Sequence, residues 1–376
     1  MNYYVLVYWA FIYFLLLVDA ALLLISAIGA VQGRKSEYAR HNGTKPAPRA
    51  LVMIPCRGID INLNGNVSSA MHQSYRNYDA VAIVDSMEDP CINVLKETGI
   101  AIMKSDGRKG GRSGKVRAIS TALSSKKGYD IYVVLDSDVR VGRHWLSELI
   151  APLSDRRIGI STTFPYFNPI SGFWSRMKMV WGFVGQGLME SKATRFGWGG
   201  SLAFRKELIA GRKEMKYFGS MVSDDIAITR IAKAKGLGIA YCRNAEATVD
   251  CRESFGTFWE WSNRQAALSI AGSRRVLYYG LAFYWSNILL FISGIALSVL
   301  YSQAMLVLLL PFAVGAAKAY SRAKDVSVGT LAAFTISQFI YLANLIVASR
   351  MKSISWRGRI YDISGEPERL YQAEPR

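Results

Sequence analysis

Two carboxylates one residue apart, Asp136 and Asp138, close the run Tyr132-Val-Val-Leu-Asp-Ser-Asp-Val-Arg140. The β-prone residues before them predict a buried strand that delivers both side chains to its C-terminal edge, where open α/β sheets hold ligands. Carboxylates at this spacing can share a hard divalent cation, Mg²⁺ or Mn²⁺. Such an ion takes oxygen ligands, few of them from protein and the rest from water and substrate phosphates. The triplet predicts a metal–diphosphate site; the alternative is a polar loop behind a strand.

Other stretches carry chemistry of the same kind. Gly107-Arg-Lys-Gly-Gly-Arg-Ser-Gly114-Lys115 is glycine-rich and basic. It precedes a helix expected over 116–125, so its amides and cations would suit an anion. It is not a Walker loop, which needs Gly where Lys109 stands and Ser or Thr where Val116 stands. In Phe196-Gly-Trp-Gly-Gly-Ser-Leu-Ala-Phe-Arg205, the glycines around Trp198 (Gly199 and Gly200 behind it) would let backbone approach a ligand closely. Asp224 and Asp225 open a helical run expected over 226–235, with Ser223 or Asp224 as its cap. An aromatic run from Phe255, holding Trp259 and Trp261, ends in Arg264 and suits an interfacial helix. His41, His72 and His144 are scattered and form no metal or triad pattern.

These residues need a sheet to hold them. Residues 50–58 read as a first strand ending in a Pro55-Cys-Arg57 loop, and 78–85 as a second ending in Asp85. A short third strand is expected at 100–104, with helices at 66–75 and 116–125. Strands alternating with helices predict an α/β, mostly parallel sheet with helices on both faces. Arg57, Asp85 and the Asp136/Asp138 pair would then share one sheet edge.

Composition adds a membrane. The 376 residues are 51% hydrophobic and carry 46 Lys+Arg against 28 Asp+Glu, a net charge of +18. Positive mean hydropathy with such a charge suits a membrane protein with a basic cytoplasmic side. No stretch resembles a nucleic-acid module, so anionic lipid and an anionic substrate are the expected partners. The apolar residues 3–31 exceed the about 20 needed to span a bilayer. Asp19 within them costs about 2.5–3.5 kcal/mol and is expected to face another helix. Arg34, Lys35, Arg40, Lys45 and Arg49 follow, which puts the N-terminus outside and the central region in the cytoplasm. Residues 277–300, 304–320 and 328–349 are further candidate spans; the middle one is short and holds Pro311 and Lys318. Three full spans place the C-terminus outside, whereas two with one re-entrant or interfacial segment place it inside. Residues 173–191 read as an interfacial or a core helix. Cys56, Cys91, Cys242 and Cys251 lack metal-ligand spacing and read as free thiols. The expected domains are an anchor over 1–33, a cytoplasmic catalytic domain over 34–272, a membrane region over 273–350 and a basic tail over 351–376.

Taken in order, these motifs resemble the inverting family-2 glycosyltransferases, and among them the membrane-bound ceramide-glucosyltransferase-like branch, over roughly residues 51–265. The Trp356-Arg-Gly-Arg359 tail is similar to that of bacterial and archaeal members. The resemblance implies a nucleotide-sugar-binding (GT-A type) fold and transfer of a sugar from a nucleotide sugar to a lipid hydroxyl with inversion. It implies that Pro55 and Arg57 lie at the nucleotide base, that Asp85 contacts uracil, and that Gly111-Arg-Ser-Gly114-Lys115 lies at the donor. It assigns Asp136 and Asp138 to metal and sugar diphosphate, and Trp198, Gly199, Gly200, Asp224 and Trp261 to the acceptor side. Asp225 would be the base and Arg264 the cation of a motif whose neighbours here, Trp261 and Gln265, depart from the family pattern. That departure counts against a processive polysaccharide synthase, the main rival. A catalytically inactive scaffold is the other.

Overall fold

The computed structural model describes residues 3–33, 47–107 and 112–364. Most of the basic run after the first helix, His41, the start of the linker and the centre of the glycine-rich loop, Gly111 included, lie outside those residues. So do residues 365–376.

Contacts divide the chain into two compact units: Met1–Lys35, Ser171–Gly187 and Arg252–Met351 form one; Ser36–Ile170, Leu188–Cys251 and Lys352–Arg376 form the other. This partition cuts across the boundaries read from hydropathy, since residues 252–272 join the membrane helices and the basic tail joins the sheet.

The second unit is an α/β layer structure. Its strands are β1 (Ala50–Cys56), β2 (Tyr78–Val84), β3 (Ala101–Lys104), β4 (Ile131–Leu135), β5 (Val139–Val141), β6 (Ile158–Thr162), β7 (Tyr166–Ser171), β8 (Ser201–Arg205), β9 (Gly238–Tyr241) and β10 (Ala247–Arg252), and a hairpin of β11 (Ser353–Trp356) and β12 (Arg359–Asp362). The main sheet runs β3-β2-β1-β4-β8-β6-β9. Its pairings are parallel except where β8 lies antiparallel between β4 and β6. The mostly parallel sheet is as expected. Chain order steps from β1 outward to β3 and then returns to the other side of β1 with β4. That reversal opens a crevice at the carboxyl ends of β1 and β4, the usual ligand position in such sheets. Every residue of β4 is buried, as a strand covered on both faces requires.

Pro55 sits in β1 opposite Ile83 of β2, beyond the last residue that pairs with β4, where a missing N–H costs no ladder bond. The helix expected at 66–75 is Leu63–Met71 instead. Asn62, at φ 56°, turns the chain sharply behind the first strand, so the helix begins earlier. The Asn66 amide then donates to Ile61 O and Ser137 O, tying the helix to the Asp136–Asp138 turn.

The first unit is helical. It holds α1 (Tyr3–Gly33), most of α6 (Gly172–Glu190), α9 (Phe255–Gly272), α10 (Arg275–Leu300), α11 (Leu310–Arg322) and α12 (Val328–Ala348), in a chain-order numbering that also counts the sheet's helices α2 (Leu63–Met71), α3 (Cys91–Thr98), α4 (Gly114–Ser125), α5 (Trp145–Ile150), α7 (Arg212–Ser220) and α8 (Asp224–Ala234). Among the described residues, four segments are long and apolar enough to cross a bilayer: 7–29, 275–300, 303–322 and 328–348. The chain is thus an integral membrane protein with one such helix near its start. Asp19 is buried, as expected, in a seam where Leu15 and Leu22 pack with Leu290 and Leu308.

A polar knot holds α6, α9 and α12 together. Asn344 is fully buried; its amide donates to Ser262 Oγ and Asn263 Oδ1, and its Oδ1 accepts from Trp181 Nε1. Tyr341 stacks between Trp181 and Tyr284. Replacing Asn344 by Leu strands the Trp181 N–H, a loss of about 1–3 kcal/mol. A lower thermal midpoint of the purified protein in detergent is the expected outcome.

Candidate active site

One lysine gathers a carboxylate at the end of a strand and another at the start of a helix. Lys115, in the first turn of α4, reaches Asp136 Oδ1 at 2.7 Å and Asp224 Oδ1 at 3.2 Å, and donates to Gly199 O at 3.0 Å. Its ammonium is almost wholly buried. Burial alone would lower its pKa, but Asp136, Asp224 and Asp225 hold it above the ordinary lysine value. Ser113 caps α4 by accepting from Val116 N, which fixes the turn that points Lys115 inward. Asp224 is more buried still, and its Oδ2 has no hydrogen-bond partner among the described residues. Burial, opposed by Lys115 and reinforced by Asp225 and Asp136, pushes its carboxyl up to about 7.

Asp225 follows on the first turn of α8. Its Oδ2 accepts from Gly199 N at 3.0 Å and its Oδ1 from Ile226 N at 2.7 Å and from the Ser223 hydroxyl. Ser223 therefore precedes the helix without capping it by side chain; its hydroxyl is spent on orienting Asp225. The glycines around Trp198 serve protein contacts. A Cβ on Gly199 would stand 2.9 Å from Lys115 Nζ and 3.0 Å from Asp224 Oδ2; one on Gly200 would overlap the Trp198 ring. Trp198 itself is half-buried against Phe164.

At the other side of the β1/β4 crevice stands Asp85, at the end of β2. Arg57 Nη1 lies 3.9 Å from Asp85 Oδ2. Two features were not foreseen. Asp60, behind β1, accepts from Ser137 Oγ at 2.6 Å and so links the first strand's loop to the Asp136–Asp138 turn. The β11–β12 hairpin lies across the same edge: Arg357 Nη2 meets Asp60 Oδ1 at 2.6 Å, and Arg359 Nη1 meets Asp85 Oδ2 at 2.7 Å. Burial would lower the Arg357 pKa, but Asp60, Asp138 and Asp136 together raise it. Gly114 admits this arrangement, since a Cβ there would stand 2.8 Å from Arg359 Nη1 and 3.4 Å from Asp85 Oδ2. The signal for the hairpin was Arg357-Gly358 between β-prone residues, weak because Asn, Asp or Gly usually opens such a turn.

Asp85, Asp136, Asp224, Asp225, Lys115 and Gly114 are thus gathered in one unit, with Arg57 and Pro55 at its edge and Asp138 in electrostatic contact with Arg357. Trp261 and Arg264 stand on α9 in the membrane unit. Trp261 packs edge-on against Trp181 and lies under Lys178 Nζ at 4.7 Å. Among the described residues, no three His, Cys, Asp or Glu side chains form a metal cage. The donor set suits a hard cation completed by a ligand's oxygens. Asp60, Asp85, Asp136, Asp138, Asp224 and Asp225 outnumber Lys115, Arg57, Arg357 and Arg359 by two charges, before the raised pKa of Asp224 is counted.

A family model described as glycosyl transferase family 21 matches residues 14–368. The chain belongs to glycosyltransferase family 21. The ceramide-glucosyltransferase-like resemblance fits this family, whereas the family-2 label was only approximate. Among solved structures, this family 21 chain is similar to a mannosyltransferase of Pyrobaculum calidifontis solved with GDP-Man and Mn²⁺. The identity is 16%, over 89% of this chain and 97% of the other, with a TM-score of 0.55. A more distant likeness is to glucosyl-3-phosphoglycerate synthase of Mycobacterium tuberculosis solved with Mn²⁺, UDP-Glc and phosphoglyceric acid, at 15% identity over 60% and 80% of the two chains and a TM-score of 0.41. The fold of this glycosyltransferase is accordingly of the GT-A type.

Asp224 gives a pH test. Its folded pKa lies above the 3.8 of an ordinary Asp, so the folded chain binds the extra proton between those values. Its contribution to stability is full at low pH and is lost as pH rises through about 7. The stability of wild type relative to Asp224→Asn should fall between about pH 4 and about pH 7 and level off above that, as read from paired thermal melts.

Proposed function

We propose that this protein transfers a sugar from a nucleotide sugar to the hydroxyl of a lipid, with inversion, and that Asp225 is the base. The observation that carries the reading is the convergence of Asp85, Asp136, Lys115, Asp224 and Asp225 at the carboxyl ends of β2, β1 and β4. The donor nucleotide would lie along Pro55, Arg57 and Asp85, and its diphosphate near Gly114 and the Asp136–Asp138 turn. Asp138, with Asp136, would hold Mg²⁺ or Mn²⁺, which when bound offsets charge on the departing diphosphate. Asp136 has a second duty, because Lys115 grips one of its oxygens. Lys115 in turn anchors Gly199 and Asp224, and so sets the position of Asp225. The Gly199 and Ile226 amides and the Ser223 hydroxyl point that carboxylate, which takes the acceptor's proton as the oxygen attacks the anomeric carbon. No covalent sugar–enzyme bond is needed, so one displacement inverts the configuration. Trp198 and its glycines would border the acceptor. Arg264 and Trp261 enter this proposal through the resemblance alone. A lipid acceptor follows from a catalytic unit built into a membrane protein.

Purified protein supplied with Mn²⁺ or Mg²⁺, a panel of UDP- and GDP-sugars and membrane lipid should yield a singly glycosylated lipid by mass spectrometry. Asp225→Asn should lower turnover by about 10²–10⁴ while the fold is kept. Undiminished transfer by that variant would sink the assignment, and a ladder of oligomers would favour the synthase.

We further infer that the N-terminus is outside and that the C-terminal tail shares the cytoplasmic side with the sheet. Tyr301, at the end of α10, packs on Tyr8 and Trp9 near the start of α1, and Lys318 donates to Ser26 O near its other end. Segment 303–322 therefore returns across the membrane alongside α1. Then α12 begins where α11 ends, and its far end packs Tyr341 and Leu345 beside Tyr284 and Gly280, near the start of α10. Both ends of α12 thus lie on one side, and α12 is the segment that does not cross. The hairpin's contacts with Asp60 and Asp85 agree. Single cysteines placed at Ser302 and Ser364 in a background without native cysteines should be labelled from opposite faces of sealed vesicles. Labelling from the same face would refute this topology.

A further inference from the structure

The β11–β12 hairpin has a tip that local backbone chemistry does not favour. Trp356 pairs with Arg359, which leaves a loop of two residues, Arg357 and Gly358, at φ 51° and 70°. Turns of this kind call for Asn, Asp or Gly at the first position, and a left-handed conformation is unfavourable for an ordinary L-residue. An arginine that keeps such a conformation is held there by its surroundings, and strain of this sort clusters at functional sites.

Its surroundings are the donor edge. Arg357 Nη1 donates to Arg57 O at 3.0 Å and Nη2 meets Asp60 Oδ1 at 2.6 Å. Asp60 at the same time accepts from Ser137, the residue between Asp136 and Asp138. The hairpin is fastened at its base as well. Arg359 pairs with Asp85, Gly114 N donates to Tyr361 Oη at 3.4 Å, and Arg112 Nη2 donates to Asp362 O at 2.7 Å. These contacts span the ends of β1 and β2 and the start of α4. Each side chain stays about one third exposed, 37% for Arg357 and 35% for Arg359. A guanidinium has five donors, and the forked geometry left after one or two protein contacts matches a phosphate.

We propose that Arg357 is a phosphate-binding residue, holding the diphosphate of the donor nucleotide, and that Arg359 positions Asp85 for the nucleotide. The hairpin is then the wall of the donor pocket opposite the Asp136–Asp138 turn. This rests on the nucleotide-sugar reading above.

The test uses full-length purified protein and calorimetric binding of UDP and GDP, each compared with its monophosphate and its nucleoside. Arg357→Asn and Arg357→Gly suit the left-handed tip, so neither should unfold the hairpin. Both should weaken diphosphate binding about tenfold or more and change nucleoside binding little, with the thermal midpoint preserved. Arg357→Lys should recover part of the loss. Diphosphate binding unchanged in Arg357→Asn, beside wild type that binds it, would overturn the hairpin's role and leave the transferase reading standing. Wild type that binds neither diphosphate would overturn both.

Discussion

A single buried ammonium governs the arrangement of the catalytic unit. Desolvating Lys115 is costly, and only close carboxylates make that tolerable. Asp136 and Asp224 do so from two different elements, the end of β4 and the start of α8, and Gly199 O closes the ring from the turn before β8. Three segments distant in sequence are thereby pinned to one point. The glycine at 199 is a condition of that closeness, because any side chain there would press on the lysine and on Asp224. Asp225 inherits its position from the same point, through the amide of Gly199.

The sheet edge was legible in the sequence because each strand announces itself. Apolar β-prone runs end in Asp85 and in Asp136, and parallel neighbours must present those ends together. The Asp224–Asp225 pair was legible as the opening of a helix. Its use of Ser223 was not, since a serine before a helix ordinarily caps it, and here the hydroxyl turns to the carboxylate that follows. The glycines near Trp198 were visible, but their partners were not. What a missing Cβ makes room for is a tertiary fact.

Long-range contacts account for what was not read. Asp60 has no motif, and its importance comes from Ser137 on one side and Arg357 on the other. The tail was read as basic and, over residues 356–359, as similar to that of family members. Its pairing with Asp60 and Asp85 depends on a two-residue turn that Arg357 disguises. Hydropathy marked 328–348 as a span as readily as 275–300. The fully buried Asn344 that ties it to Trp181, Ser262 and Asn263 was not visible in that hydropathy.

The contact between Arg357 and Asp60 joins residues 297 positions apart, with the helices after α9 lying between them in the chain. Asp60 leaves the ribosome early, whereas Arg357 is made only after all of those helices. The edge that holds Asp60 and Asp85 therefore stays open during most of synthesis. It closes only when the end of the chain folds back onto its beginning, so a chain cut short before Arg357 would be left with the acidic rim at Asp60 and Asp85 uncompensated.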